Sequence, residues 1–126
     1  MNENELSRVI VDSAIEVHSV LGGPGLLETV YEESLVEEFR LRGLSTSRQE
    51  VVPITYKGKR LATPLRLDLR VNRLVLVECK ATAEHNKIYE AQLLTYLRLT
   101  GLKLGLVINF GQRFVKDGIH RVVNGL

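Results

Sequence analysis

The chain has 126 residues, 44% hydrophobic and 25% charged, with a formal net charge of +2. That is the size and make-up of one globular domain with a single core. One cysteine excludes an intramolecular disulfide, and no CxxC or Cys/His cluster suggests zinc. No apolar run approaches the roughly 20 residues of a membrane span, and the acidic start Met1-Asn2-Glu3-Asn4-Glu5 has no apolar signal region. The expectation is a cytoplasmic protein with no membrane partner.

In chain order, residues 4–21 are predicted to form an amphipathic helix, with Leu6, Ile10, Ala14, Val17 and Leu21 at helical spacing. Gly22-Gly23-Pro24-Gly25 breaks it. A second helix is predicted over 26–42, with Leu27, Tyr31, Ser34 and Leu35 on one side and Gly43 as its stop. Three strands follow: 50–56, then 60–71 after the turn Lys57-Gly58-Lys59, then 74–80 after Asn72-Arg73. The second is expected to be irregular near Pro64. The third is nearly continuous in apolar residues, as at a sheet centre. A helix is predicted over 84–100, with Ile88, Ala91, Leu94, Thr95 and Leu99 on one side and Gln92 and Tyr96 beside it. Residues 104–110 read as another buried strand. Residues 113–115 and 119–123 read as a closing hairpin around Asp117-Gly118. The order is ααβββαββ, an α/β fold. The connection from 74–80 through the helix to 104–110 is long enough to cross over to a parallel neighbour.

The chemistry concentrates in Leu65–Lys80. Asp68, Glu78 and Lys80 are ionisable residues in strands otherwise built for burial, where charge costs free energy unless it is paired or binds a metal. Side chains alternate along a strand, so Glu78 and Lys80 share a face and Cys79 points to the other, into the core. Magnesium takes oxygen ligands and keeps several waters, so Asp68 and Glu78, with the Cys79 backbone carbonyl as a third donor, suffice to hold it. An ammonium at Lys80 would orient the attacking water or stabilise the transition state of phosphodiester hydrolysis. The same spacing also suits a half-buried salt bridge of Lys80 with Glu78 or Asp68.

Other residues bear on this site. Glu28 shares a helical face with Tyr31 and Leu35, as a further metal ligand or as a helix-start acid favoured by the macrodipole. His18 flanks the apolar face of the first helix, as a metal ligand or a structural histidine. Gln92 and Tyr96, one turn apart, can hydrogen-bond a substrate or simply flank the sheet. Charge is also uneven. Residues 1–38 hold nine acids and one base, whereas 57–73 hold six bases, Arg66 and Arg70 among them, and only Asp68 as an acid. Such a stripe can attract a phosphate backbone, or can be solvated edge positions.

With these pieces placed, the chain resembles the PD-(D/E)XK nucleases. Asp68 and Glu78-Cys79-Lys80 match the D…(D/E)xK core. Gly25-Leu26-Leu27-Glu28-Thr29-Val30-Tyr31 matches the signature of the small GxxExxY proteins within that superfamily. Gln92-Leu93-Leu94-Thr95-Tyr96 matches the QxxxY motif of RecB-type nucleases. The proline of the superfamily name is replaced by Leu67. The resemblance implies a restriction-endonuclease-like core, a mixed central sheet flanked by helices, as one domain over 1–126. It implies a magnesium site at Asp68 and Glu78, with manganese able to substitute, a catalytic Lys80, and Glu28 in the site. It also makes His18 a positional candidate for a metal-ligating histidine. The implied activity is hydrolysis of nucleic acid, DNA first. The alternative is a silent nuclease-fold module that binds nucleic acid or a protein partner. A homodimer is left open.

Overall fold

A computed structural model describes residues Met1–Leu126. The first helix, α1 (Glu3–Leu21), is fixed at both ends by local chemistry. Asn2 Oδ1 accepts from the Glu5 N–H and the Glu5 carboxylate accepts from the Asn2 N–H, a capping box. At the other end Gly22 adopts the left-handed conformation and its N–H bonds back to His18 and Ser19. The second helix, α2 (Glu28–Leu41), starts after Leu27, which is exposed rather than inward. Tyr31 secures the corner between them: its hydroxyl donates to the Gly23 carbonyl at 2.7 Å and accepts from the Leu26 N–H at 3.1 Å.

Five strands make one sheet: β1 (Thr46–Val52), β4 (Leu65–Val71), β5 (Val75–Lys80), β6 (Leu104–Asn109) and β7 (Ile119–Val123), in the spatial order β1-β4-β5-β6-β7. Only β5 and β6 run parallel; every other neighbouring pair is antiparallel. The helix between them, α3 (Ile88–Thr100), forms the expected crossover. Among the helices and sheet strands the order is ααβββαββ, as expected. A two-stranded hairpin, β2 (Thr55–Tyr56) with β3 (Lys59–Arg60), stands apart from the sheet.

Three sequence expectations need correction. The strand expected over 50–56 is interrupted at Pro53-Ile54, and the irregularity expected near Pro64 is a full break over Leu61–Pro64, because proline has no N–H for a ladder and restricts its predecessor. The closing hairpin is absent. Val115–Gly118 is a short 3-10 helix, and β7 pairs with β6 instead. A Cβ at Gly118 would strike the Asn109 carbonyl, so this segment passes tightly over the end of β6. Finally, α3 turns a different face inward. Leu93 and Leu97 are fully buried, while Ile88 and Leu99 are exposed. The helix sits so close to β6 that a Cβ on Gly105 would lie 2.8 Å from Leu93.

The sheet separates two cores. On one side α1 and α2 bury Leu6, Ile10, Ala14, Tyr31, Leu35 and Phe39 against Leu69, Val71, Val75, Val77, Cys79, Leu106 and Ile108. On the other, Leu93 and Leu97 of α3 meet Leu65, Leu67, Leu76, Val107 and Val122. Leu67 and Leu69 would share a face on a regular strand, yet they lie in different cores. β4 therefore rolls over at Asp68.

Candidate active site

That roll coincides with a fork in the sheet. β4 and β5 pair only through Leu69–Val71 with Val75–Val77. The next pair in register would be Asp68 with Glu78, but there the ladder stops. Side-chain carboxylates take over the backbone donors. The Asp68 N–H donates to Glu78 Oε1 at 3.3 Å, and the Cys79 N–H donates to Asp68 Oδ2 at 3.0 Å. The Lys80 carbonyl accepts from Phe110 on the β6 side. Strand alternation then turns the Cys79 carbonyl toward the fork.

The electrostatics are those of crowded carboxylates. Glu78 is 6% exposed. Burial first, then the negative charge of Asp68 and a hydrogen bond between the two side chains, pushes its carboxyl up to about 9, against a weaker opposing pull from Lys80. Without a metal the pair therefore holds a proton at neutral pH. Glu28 is open to solvent on one side. Partial burial and then Asp68 raise its carboxyl as well, with Lys80 again pulling the other way. The phenol of Tyr96 is raised by partial burial and then by Glu78 and Asp68. These couplings bring Glu28, Asp68, Glu78, Lys80 and Tyr96 into one neighbourhood.

Neither Asp68 nor Glu78 has an ion-pair partner, and Lys80 has none either. The Lys80 ammonium lies 4.6 Å from the centre of the Tyr89 ring. The salt-bridge reading of the sequence is thus not what the fold builds. Asp68 and Glu78, with the Cys79 carbonyl, offer oxygen donors whose mutual repulsion a hard divalent cation would relieve, while Glu28 couples to Asp68 electrostatically without joining them in one cluster of ligand atoms. The residues fit magnesium or manganese. Cys79 is fully buried, and burial pushes its thiol well up, leaving an inert core side chain.

Two residues here escaped sequence reasoning. Glu32, one turn after Glu28, is buried at 2% exposure, and its Oε1 accepts from Arg48 Nε and Gln49 Nε2, both at 2.9 Å. Gln49 Nε2 also lies 3.4 Å from Asp68 Oδ1, so one amide bridges the two carboxylates. Gln49 reaches them from a left-handed backbone, φ 53°, at the strand position opposite Asp68. Such strain in a residue other than glycine costs about 1–3 kcal/mol and persists only where the surroundings hold it. The sole sequence signal for Glu32 was its i+4 spacing from Glu28; Gln49 gave none.

The remaining candidates are dispersed. His18 is buried, with Nε2 3.1 Å from the Phe110 carbonyl, to which it must donate; only Nδ1 is left for a ligand. Arg70 is paired with Glu50 at 3.1 Å, and Arg66 is exposed with Nη1 3.4 Å from the Gln49 carbonyl. Gln92 is exposed on α3, one turn before Tyr96.

An α/β fold with this sheet order is consistent with a restriction-endonuclease-like core, and the fork supplies an acidic, lysine-flanked site at its centre. A family model described as the PD-(D/E)XK nuclease superfamily matches residues 4–122, and the chain belongs to that superfamily. Its members are generally nucleases that use divalent metals, which makes nucleic acid the implied substrate class. No curated protein and no solved structure matches the chain. No helix is long and apolar enough to cross a membrane.

Proposed function

We propose that this chain is a nuclease that hydrolyses phosphodiester bonds in DNA with magnesium, or manganese in its place. The observation that carries the reading is the fork: two carboxylates from parted strands, free of any cationic partner, beside an unpaired lysine. Asp68, Glu78 and the Cys79 carbonyl would hold the ion, with Glu28 at the edge. A bound magnesium ion would supply an acidified water and offset charge on the scissile phosphate. Lys80 would orient the nucleophile and stabilise the added negative charge of the transition state. Tyr96 and Gln92 would position the strand being cut, with Arg66 contacting its phosphates. Glu32 and Gln49 would hold Asp68 in place. The resemblance of Gly25–Tyr31 to the GxxExxY signature and of Gln92–Tyr96 to the QxxxY motif supports the same assignment.

The test is a panel of labelled single-stranded, duplex and branched DNA, with matched RNA, incubated with magnesium or manganese. Metal-dependent cleavage of DNA that Glu78→Ala abolishes is the expected result. Salt-sensitive binding that survives Glu78→Ala, with no substrate cut by the wild type, would replace the enzyme by a binding module.

A further inference from the structure

His85 lies in the β5–α3 connection, Glu90 in the first turn of α3, and His120 on β7. The sequence keeps them apart; the fold brings them together. His85 Nε2 is 2.6 Å from Glu90 Oε1, and His120 Nδ1 is 4.0 Å from the same oxygen. The two imidazoles stack with centroids 3.7 Å apart, and one ligand atom from each residue lies within 4.8 Å of the others. His120 Nε2 is buried with no hydrogen-bond partner. That nitrogen lies across the ring from the Nδ1 that faces Glu90, so it calls for a water of its own, and the case for an ion rests on the convergence of the three ligand atoms.

We propose that His85, Glu90 and His120 form a second metal site, chemically distinct from the fork and suited to zinc or a similar transition-metal ion. Two imidazole nitrogens and one carboxylate oxygen favour such ions over magnesium, whereas the oxygen-only fork has the opposite preference. Three ligands about 2.0–2.1 Å from a tetrahedral zinc lie about 3.3–3.5 Å from one another. The observed 2.6 and 4.0 Å bracket that spacing. The ring planes, 21° apart, must fan open for both lone pairs to converge, a side-chain rotation with no change of fold. A water would fill the fourth position.

The site shares no ligand with the fork, and the backbones of Glu78 and His120, both register partners of Val107, stand two strands apart, about 10 Å. The ion clamps the β5–α3 connection to α3 and β7. The clamp adjoins the catalytic edge: His85 meets Tyr89 edge-on at 6.0 Å, and Tyr89 carries the Lys80 ammonium on its ring.

The test is a cobalt(II) titration of the intact chain in excess magnesium, followed by visible absorption and reversed by zinc. Thermal unfolding with and without zinc accompanies it. One equivalent is expected to bind, at least about tenfold more weakly in His85→Ala and His120→Asn and unchanged in Glu78→Gln. Zinc should raise the wild-type Tm by roughly 5 °C or more and leave the Tm of the histidine variants unmoved. His85→Ala, in a connecting segment, keeps the test decisive if His120→Asn fails to fold. Absence of cobalt absorption, or equal affinity in His85→Ala, would overturn the proposal. So would loss of binding in Glu78→Gln, which would put the ion at the fork.

Discussion

In the metal-free protein the Glu78 carboxyl titrates at about 9 folded, against 4.5 for an ordinary glutamate. Between those values the folded state holds a proton that the unfolded chain has released. Stability therefore falls as pH rises through that window and is unaffected below it. One pH unit corresponds to about 1.4 kcal/mol, so the 2.5 units from 4.5 to neutrality come to about 3 kcal/mol. Glutamine has nearly the same shape, cannot ionise, and keeps a donor for Asp68. In chelator, urea unfolding of wild type and Glu78→Gln should give similar stabilities at pH 5 and a variant more stable by about 2–4 kcal/mol at pH 7. Magnesium should then stabilise the wild type and leave the variant unchanged. A wild-type stability that is flat from pH 5 to 8.5, or a variant less stable at pH 7, would refute the account of a strained, metal-ready carboxylate pair.

Three further substitutions separate the roles at the fork, and a fourth tests a tight backbone contact beyond it. Lys80→Ala should lower cleavage about a hundredfold or more while calorimetry shows manganese affinity preserved, the outcome the proposed role of the ammonium in the reaction, rather than as a ligand, requires. Gln49→Ala removes the amide that bridges Glu32 and Asp68; kcat and metal affinity should fall about tenfold, with far-ultraviolet circular dichroism unchanged. Arg48→Met leaves the buried Glu32 without its cation. Arg48 is partly exposed, so the loss measured by urea unfolding should be about 1–3 kcal/mol rather than that of a fully buried pair. Gly111→Ala drives a Cβ into the backbone of Thr82, and the unfolding midpoint should drop by the equivalent of roughly 1–3 kcal/mol.

The helices α1 and α2, the central strands and the parallel crossover were legible because burial imprints a period on the sequence. Leu6-Ile10-Ala14-Val17 shows the helical period, and Leu104–Asn109, buried at every position, shows instead a nearly unbroken apolar run. The inward face of α3 was misread because leucines occur all round that helix. Close approach to Gly105, a tertiary fact, selects Leu93 and Leu97. The fork could be anticipated as ionisable residues in apolar strands, but not the early end of the ladder that makes it. Gln49 was invisible because its role depends on a left-handed backbone that its residue type does not announce. Glu32 looked like one more surface acid until the fold placed Arg48 and Gln49 on it.

The central claim, that the carboxylates parted at the β4–β5 fork cut nucleic acid with a divalent metal, is tested most directly by one measurement. Rates of cleavage of labelled single-stranded and duplex DNA would be compared for wild type and Glu78→Gln, in magnesium and in chelator. Cleavage by the wild type in magnesium alone, reduced at least about a hundredfold in Glu78→Gln, is the expected result. Cleavage that persists in chelator, or that the variant performs as fast as the wild type, would contradict it.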